Sequence, residues 1–194
     1  MQHITRDSLM TLEAYSRERP AFRAKVIEHK KLRTVALGEH LSLLFEDETT
    51  IRYQVQEMIR IERIFEDEGI AHELETYNPL IPDGRNLKAT MMIEYTDENE
   101  RRRELARLIG VEDQVWVQVD GFTKVYAVAD EDLERENAEK TSAVHFLRFD
   151  LSEEMALALK NGLALAVGVD HPNYTVAVPR LPEAKRAALV ADLD

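Results

Sequence analysis

Cysteine is absent from the 194 residues, which removes disulfides, thiolate zinc sites, cysteine-held iron-sulfur clusters and a catalytic thiol together. Any metal must therefore use His, Asp or Glu. Long apolar runs are also missing: the longest stretch free of charge, Asn161 to Val169, is about half of what a spanning helix needs. Met1 to Asp7 contains no apolar signal core. Positive charge is in deficit, with 25 Lys and Arg against 37 Asp and Glu and a net charge of -12. Such a chain repels the phosphate backbone, so nucleic acid is disfavoured as a partner. A cytoplasmic protein with no membrane partner is expected. Gly-x-Gly-x-x-Gly, Walker and Gly-x-Ser-x-Gly motifs do not occur, which leaves dinucleotide, nucleotide and serine-hydrolase readings without support. His-Glu-x-x-His and Glu-x-x-His are missing too, so neither a zincin helix nor a ferritin-type helix pair can be read.

What is present suits a folded chain, with 44% hydrophobic and 32% charged residues. Asp7 or Thr5 predicts a first helix through Tyr15, and Pro20 opens a second to about Leu32. Gly38-Glu39 predicts a two-residue hairpin turn between Val35-Ala36-Leu37 and His40 to Phe45. Asp47 caps the longest helical pattern, Glu48 to about Glu68, with Gly69 in the left-handed closing position and room for a helical continuation through Tyr77. Asn78 to Gly84 holds two prolines and an Asp-Gly pair, the chemistry of a stiff loop. A strand from Lys88 to Tyr95 and a helix capped by Asp97 follow. Val115 to Val119 and Phe122 to Val128 form a hairpin about Asp120-Gly121. Asp130 to Lys140 reads as a solvated excursion or a short surface helix. A strand from Ala143 to Phe149, a helix capped by Ser152, a hairpin about His171-Pro172-Asn173 and a helix after Pro182 complete the chain. The expected fold is α+β, with a helical N-terminal half carrying a small hairpin and a C-terminal antiparallel sheet with helices packed on one face. The parts divide as 1–110 and 111–194 within one compact unit.

Glu62 draws attention because, at 100° per residue, it falls between Val55 and Met58 on a stripe with Ile51 and Phe65. A carboxylate there needs an arginine such as Arg33 or Arg60, a hydrogen-bond network, or a metal. His29, on the apolar side of its helix, and His40, near the hairpin turn, complete a candidate His, His, Glu set for iron, manganese or zinc, with His72 in reserve. A hydrogen-bonded core role is the commoner fate of each histidine. In the loop, Asn78, Asp83, Arg85 and Lys88 offer an amide, a carboxylate and two cations for an anionic ligand or a partner. Its competing role is a connector whose Asn and Asp satisfy backbone. Asp170-His171 near Tyr174 is an acid-base candidate or, more simply, turn chemistry. From Arg17 to Arg33, seven bases face two acids, whereas Glu46 to Glu68 has eight acids against three arginines, so pairing between these segments is expected.

Arg19-Pro20-Ala21-Phe22-Arg23, Leu44-Phe45-Glu46-Asp47, Tyr53 to Met58, Tyr77 to Gly84 and Lys88-Ala89-Thr90-Met91 resemble a bacterial family of unknown function, numbered 3501, along nearly the whole chain. Asn78-Pro79-Leu80-Ile81-Pro82-Asp83-Gly84 is the most specific part. The resemblance implies genes neighbouring a rubrerythrin and an iron-sulfur oxidoreductase, hence a role near peroxide or redox metabolism. It carries over no catalytic residues. The first expectation is a non-enzymatic accessory or interaction protein of a redox or oxidative-stress system, docking a rubrerythrin-like or iron-sulfur partner; a homo-oligomer is compatible with it. The alternative is a metal-dependent enzyme or metal carrier.

Overall fold

The computed structural model describes residues 3–131 and 140–194. The chain is α+β, with six α-helices and two antiparallel sheets among the described residues. After a 3₁₀ turn at Arg6–Ser8 come α1 (Leu12–Arg33), β1 (Thr34–Leu37), β2 (Leu41–Phe45), α2 (Glu48–Glu62) and α3 (Asp67–Tyr77). A 3₁₀ turn at Asn78–Leu80 leads to β3 (Asn86–Ile93) and α4 (Glu98–Arg107). The remainder is β4 (Val115–Val119), β5 (Val125–Tyr126), β6 (Val128–Ala129), β7 (Val144–Asp150), α5 (Glu153–Lys160), β8 (Leu165–His171), β9 (Tyr174–Val178) and α6 (Glu183–Val190).

The first sheet runs β1-β2-β3-β7-β6 and the second β5-β4-β8-β9. The pairing of β3 with β7 carries the first sheet across residue 110, so it is built from both parts of the chain. Alternation decides what faces inward: Leu87, Ala89, Met91 and Ile93 of β3 enter the main core, whereas Lys88, Thr90 and Met92 are only partly covered. That core also takes Val115, Val117, Val119, Leu165, Val167 and Val169 from the second sheet, with Leu105, Leu159 and Leu189 from α4, α5 and α6. The two sheets therefore share one interior. A smaller core joins Ile51, Val55 and Ile59 of α2 to Leu74 of α3, Ile4 and Ile81.

Several local expectations change. The two N-terminal helices are one, because Pro20 sits on the exposed side of α1, where the Ser16 carbonyl it leaves unbonded can reach water. The predicted helix to Glu68 breaks at Arg63, which takes the left-handed conformation (φ 54°) expected of Gly69. Gly69 instead lies in the first turns of α3, where a Cβ would stand 2.6 Å from Ile64 Cγ2. The Gly38 turn spans three residues, with Leu37 opposite Leu41. The Asp120-Gly121 hairpin has a longer loop, with Val117 opposite Val125. Of the excursion at Asp130 to Lys140, residues 132–139 lie outside the described residues. No helix among the described residues is long and apolar enough to cross a membrane.

The basic stretch of α1 does meet the acids of α2. Arg19 Nε lies 2.7 Å from Glu57 Oε1, which also accepts from the buried Tyr15 hydroxyl at 2.7 Å. Arg33 is the most enclosed arginine or lysine among the described residues, at 2% exposure. It donates to the carbonyls of Phe45 at 2.8 Å, Ala188 at 3.0 Å and Glu46 at 3.2 Å. It pairs with the Asp192 carboxylate, while Asp47 Oδ2 lies 3.4 Å away. One guanidinium thus fastens α1 to the end of β2 and to the C-terminal segment. Arg33→Ala should leave two enclosed carboxylates without their cation and cost about 3–5 kcal/mol in denaturant unfolding; a loss under about 1 kcal/mol would show that the knot is not structural.

Candidate functional site

None of the sequence-derived metal residues comes together. Glu62 is the last residue of α2 and is exposed. Ile51, Val55 and Ile59 are buried on the stripe to which it belongs, but the helix leaves the core before Glu62, and Phe65 beyond it is 70% exposed. The premise of an enclosed Glu62 is therefore corrected, and its charge needs no buried counterpart. His29 Nε2 lies 2.5 Å from Asp47 Oδ2. His40 stacks on Tyr95 with ring centroids 4.0 Å apart, and its Nδ1 is 3.0 Å from the Glu94 carbonyl. His72 is exposed on α3. Asp170 and His171 also part company: Asp170 binds Lys124 and Tyr126, while His171 Nε2 lies 3.1 Å from the Ile109 carbonyl.

The loop residues divide by task. Asn78 clamps the N-terminal segment, accepting from Ile4 N and donating to Ile4 O, both at 2.9 Å. Asp83 accepts from Arg85 N at 2.9 Å and so closes its own turn. The Arg85 side chain is exposed. Gly84 is required where the loop receives the C-terminus: its φ is +98°, and a Cβ would fall 2.1 Å from Asp194 Oδ2. Lys88 alone turns from the loop toward a cavity, its Nζ donating to the Pro79 carbonyl at 2.5 Å.

That cavity is a cleft of about 670 Å³ over the outer face of the first sheet. Its base is formed by Lys88, Ala89 and Thr90 of β3 beside Phe146, Leu147 and Arg148 of β7, and Tyr77, Pro79 and Leu80 form the opposite wall. The smaller core holds α3 against α2, and among the described residues no helix is packed onto this part of the sheet. At its floor is Glu46, 7% exposed. Its carboxyl is held on both oxygens, by Thr50 Oγ1 on Oε2 and Thr90 Oγ1 on Oε1, each at 2.5 Å. Burial pushes this carboxyl above its ordinary range, and the two hydroxyls only partly oppose the rise. In the sequence Glu46 had looked like ordinary acidity before a helix; the threonine four residues on was its one signal.

A second group lies elsewhere. His145, on the inward side of β7, is fully buried. Its Nδ1 lies 2.5 Å from Asp130 Oδ2, and its Nε2 faces Thr141 Oγ1 at 2.9 Å, the Ser142 carbonyl at 3.0 Å and Glu112 Oε2 at 3.8 Å. Burial by itself would lower the imidazole pKa, but Asp130, Glu112 and the Ser142 carbonyl together raise it. Glu112, Asp130 and His145 each offer a ligand atom within 4.8 Å of the others, so the group could hold a metal ion. The alternation that buries Leu147 and Phe149 places His145 inward as well, and this is the signal for it in the sequence.

Folding raises the affinity of Glu46 for its proton, so its contribution to stability is fullest below the ordinary carboxyl range and is lost as pH rises through the folded value. Glu46→Gln keeps the neutral shape at every pH. Its melting temperature should match wild type near pH 4 and exceed it at pH 8 by at least about 2 °C; a variant less stable than wild type at pH 8 would contradict this.

The comparisons with known proteins extend over the same fold. No curated protein matches the chain. A crystal structure of a novel protein of unknown function from Burkholderia pseudomallei K96243 is similar, at 57% identity over 100% of both chains with a TM-score of 0.95. The profile of the family described as "Protein of unknown function (DUF3501)" matches residues 3–193. The chain therefore belongs to this family of unknown function.

Proposed function

We propose that this chain is a non-enzymatic binding protein of the accessory type and that the cleft over the first sheet is where it takes a ligand. The observation that carries the reading is the enclosed Glu46 carboxyl, fixed by two threonines at the floor of a cavity of about 670 Å³. That size suits a small organic molecule, and apolar walls with a few fixed polar groups are the usual makeup of such sites. With both oxygens already held, Glu46 is set up to orient a guest rather than to shuttle protons. The redox setting implied by the family resemblance is compatible with this role and adds no residue to it. In a screen of neutral aromatic fragments followed by amide NMR shifts, perturbations should gather on residues 77–80, 88–90 and 146–148. Leu80→Trp, which narrows the cleft, should abolish them. Hits scattered over the surface, or unaffected by that substitution, would refute the reading.

A second reading, a divalent metal carrier, is favoured by one observation: the ligand atoms of Glu112, Asp130 and His145 all lie within 4.8 Å of one another. Iron, manganese or zinc would suit such a nitrogen and oxygen set. After equilibration with each ion and desalting, elemental analysis should find about one metal per chain, lost in His145→Gln and kept in Glu62→Ala. Retention unchanged by His145→Gln, or no retention, would dismiss it.

A further inference from the structure

We propose that the cleft selects a small organic monoanion, a carboxylate carried on a flat apolar body, with the anionic group on Lys88 Nζ and the body between Leu80 and Phe146. This rests on the cleft being a binding site and goes on to name what it binds. The first support is an arrangement of charge within the sheet. Lys88 of β3 stands directly opposite Arg148 of β7 in the register, and like charges so placed repel. Arg148 is neutralised: its guanidinium lies 2.8 Å and 3.0 Å from the two oxygens of Glu131, and it also reaches Asp150. Lys88 has no such partner among the described residues. Its one hydrogen bond is to the neutral carbonyl of Pro79, so two of the three donors of an ammonium are unassigned.

Burial lowers the pKa of Lys88 and the facing Arg148 adds to this, while Asp83, whose pull is stronger than that of Arg148, together with Glu131 and Asp150, restores only part of it. An anion seated beside Nζ relieves both, since it replaces lost water and screens the facing arginine. The floor does not oppose this. Glu46 is driven toward its neutral form by enclosure, so it does not set a full negative charge against the guest. The rim sets the upper limit on charge. Glu75 and Glu131 line the mouth, and the chain carries a net charge of -12, both of which disfavour phosphate-rich guests. One negative charge with an apolar remainder is the class that matches the Lys88 ammonium and apolar walls that include Leu80 and Phe146.

The test compares three probes of one shape, 2-naphthoate, 2-naphthamide and 2-naphthylmethylamine, titrated into the full chain by calorimetry and by amide NMR. Naphthoate should bind most tightly, with shifts at Lys88, Thr90 and Phe146. Lys88→Met should weaken naphthoate by about tenfold or more while leaving naphthamide unchanged, and Lys88→Arg should restore much of the loss. Unchanged spectral dispersion in both variants confirms the fold. If all three probes map to the cleft but the amine binds best, or Lys88→Met leaves naphthoate unaffected, the anion assignment is overturned while the cleft survives as a site. If none of the three reaches the cleft, the binding reading falls and this inference with it.

Discussion

Two adjacent acidic side chains, Glu46 and Asp47, are taken out of water where β2 passes into α2, and much of this structure follows from how each is satisfied. Asp47 is answered by donors and cations. Its Oδ1 caps α2 at Thr50 N (2.9 Å), its Oδ2 meets His29, and Arg33 stands close by. The same guanidinium gathers the carbonyls of Phe45, Glu46 and Ala188 and the carboxylate of Asp192, whose pKa burial pushes up to about 6 against the pull of Arg33. Glu46 is answered differently. It receives two hydroxyls and, among the described residues, no contacting cation, and burial raises its pKa. One residue thus becomes an anchor and the next a floor.

The cleft is the consequence of where the helices stop. α1 is fixed by Arg33 at the β2 end of the sheet, and α3 is committed to the small core through Leu74. Neither covers the outer face of β3 and β7. On that face the strand alternation exposes Lys88 and Thr90 beside Phe146 and Arg148. Two cations there stand opposite each other in register. Arg148 is neutralised by Glu131 and Asp150, whereas Lys88 makes its hydrogen bond to the Pro79 carbonyl.

Local chemistry in the sequence was legible where one residue performs one task. Asp47, Asp97 and Ser152 cap the helices they were expected to cap. The last hairpin closes through Pro172-Asn173 with His171 opposite Tyr174. Reading failed where a side chain's fate depended on distant packing. Glu62 has the right helical phase, yet the core against which that stripe packs ends one turn sooner. Pro20 would break a helix in water, but Tyr15 and Arg19 bind α1 to Glu57 just before it. Asn78, Asp83 and Arg85 were grouped with Lys88 because they are near in sequence, whereas the fold turns the first two to backbone and only Lys88 into the cleft. Glu46 and His145 carry only faint local signals, and their partners Thr90 and Asp130 are brought to them by the fold.

The character of the cleft floor turns on the protonation of a single side chain, Glu46. A carbon-detected NMR titration of the glutamate carboxyls measures it directly, each resonance assigned by substitution. The Glu46 signal should have its midpoint clearly above the ordinary 4.5, while that of Glu57, held by Arg19 and Arg60, should lie near 2. A Glu46 midpoint at or below 4.5 would mean that a charged carboxylate lies at the cleft floor, and the present explanation of that cavity would be wrong.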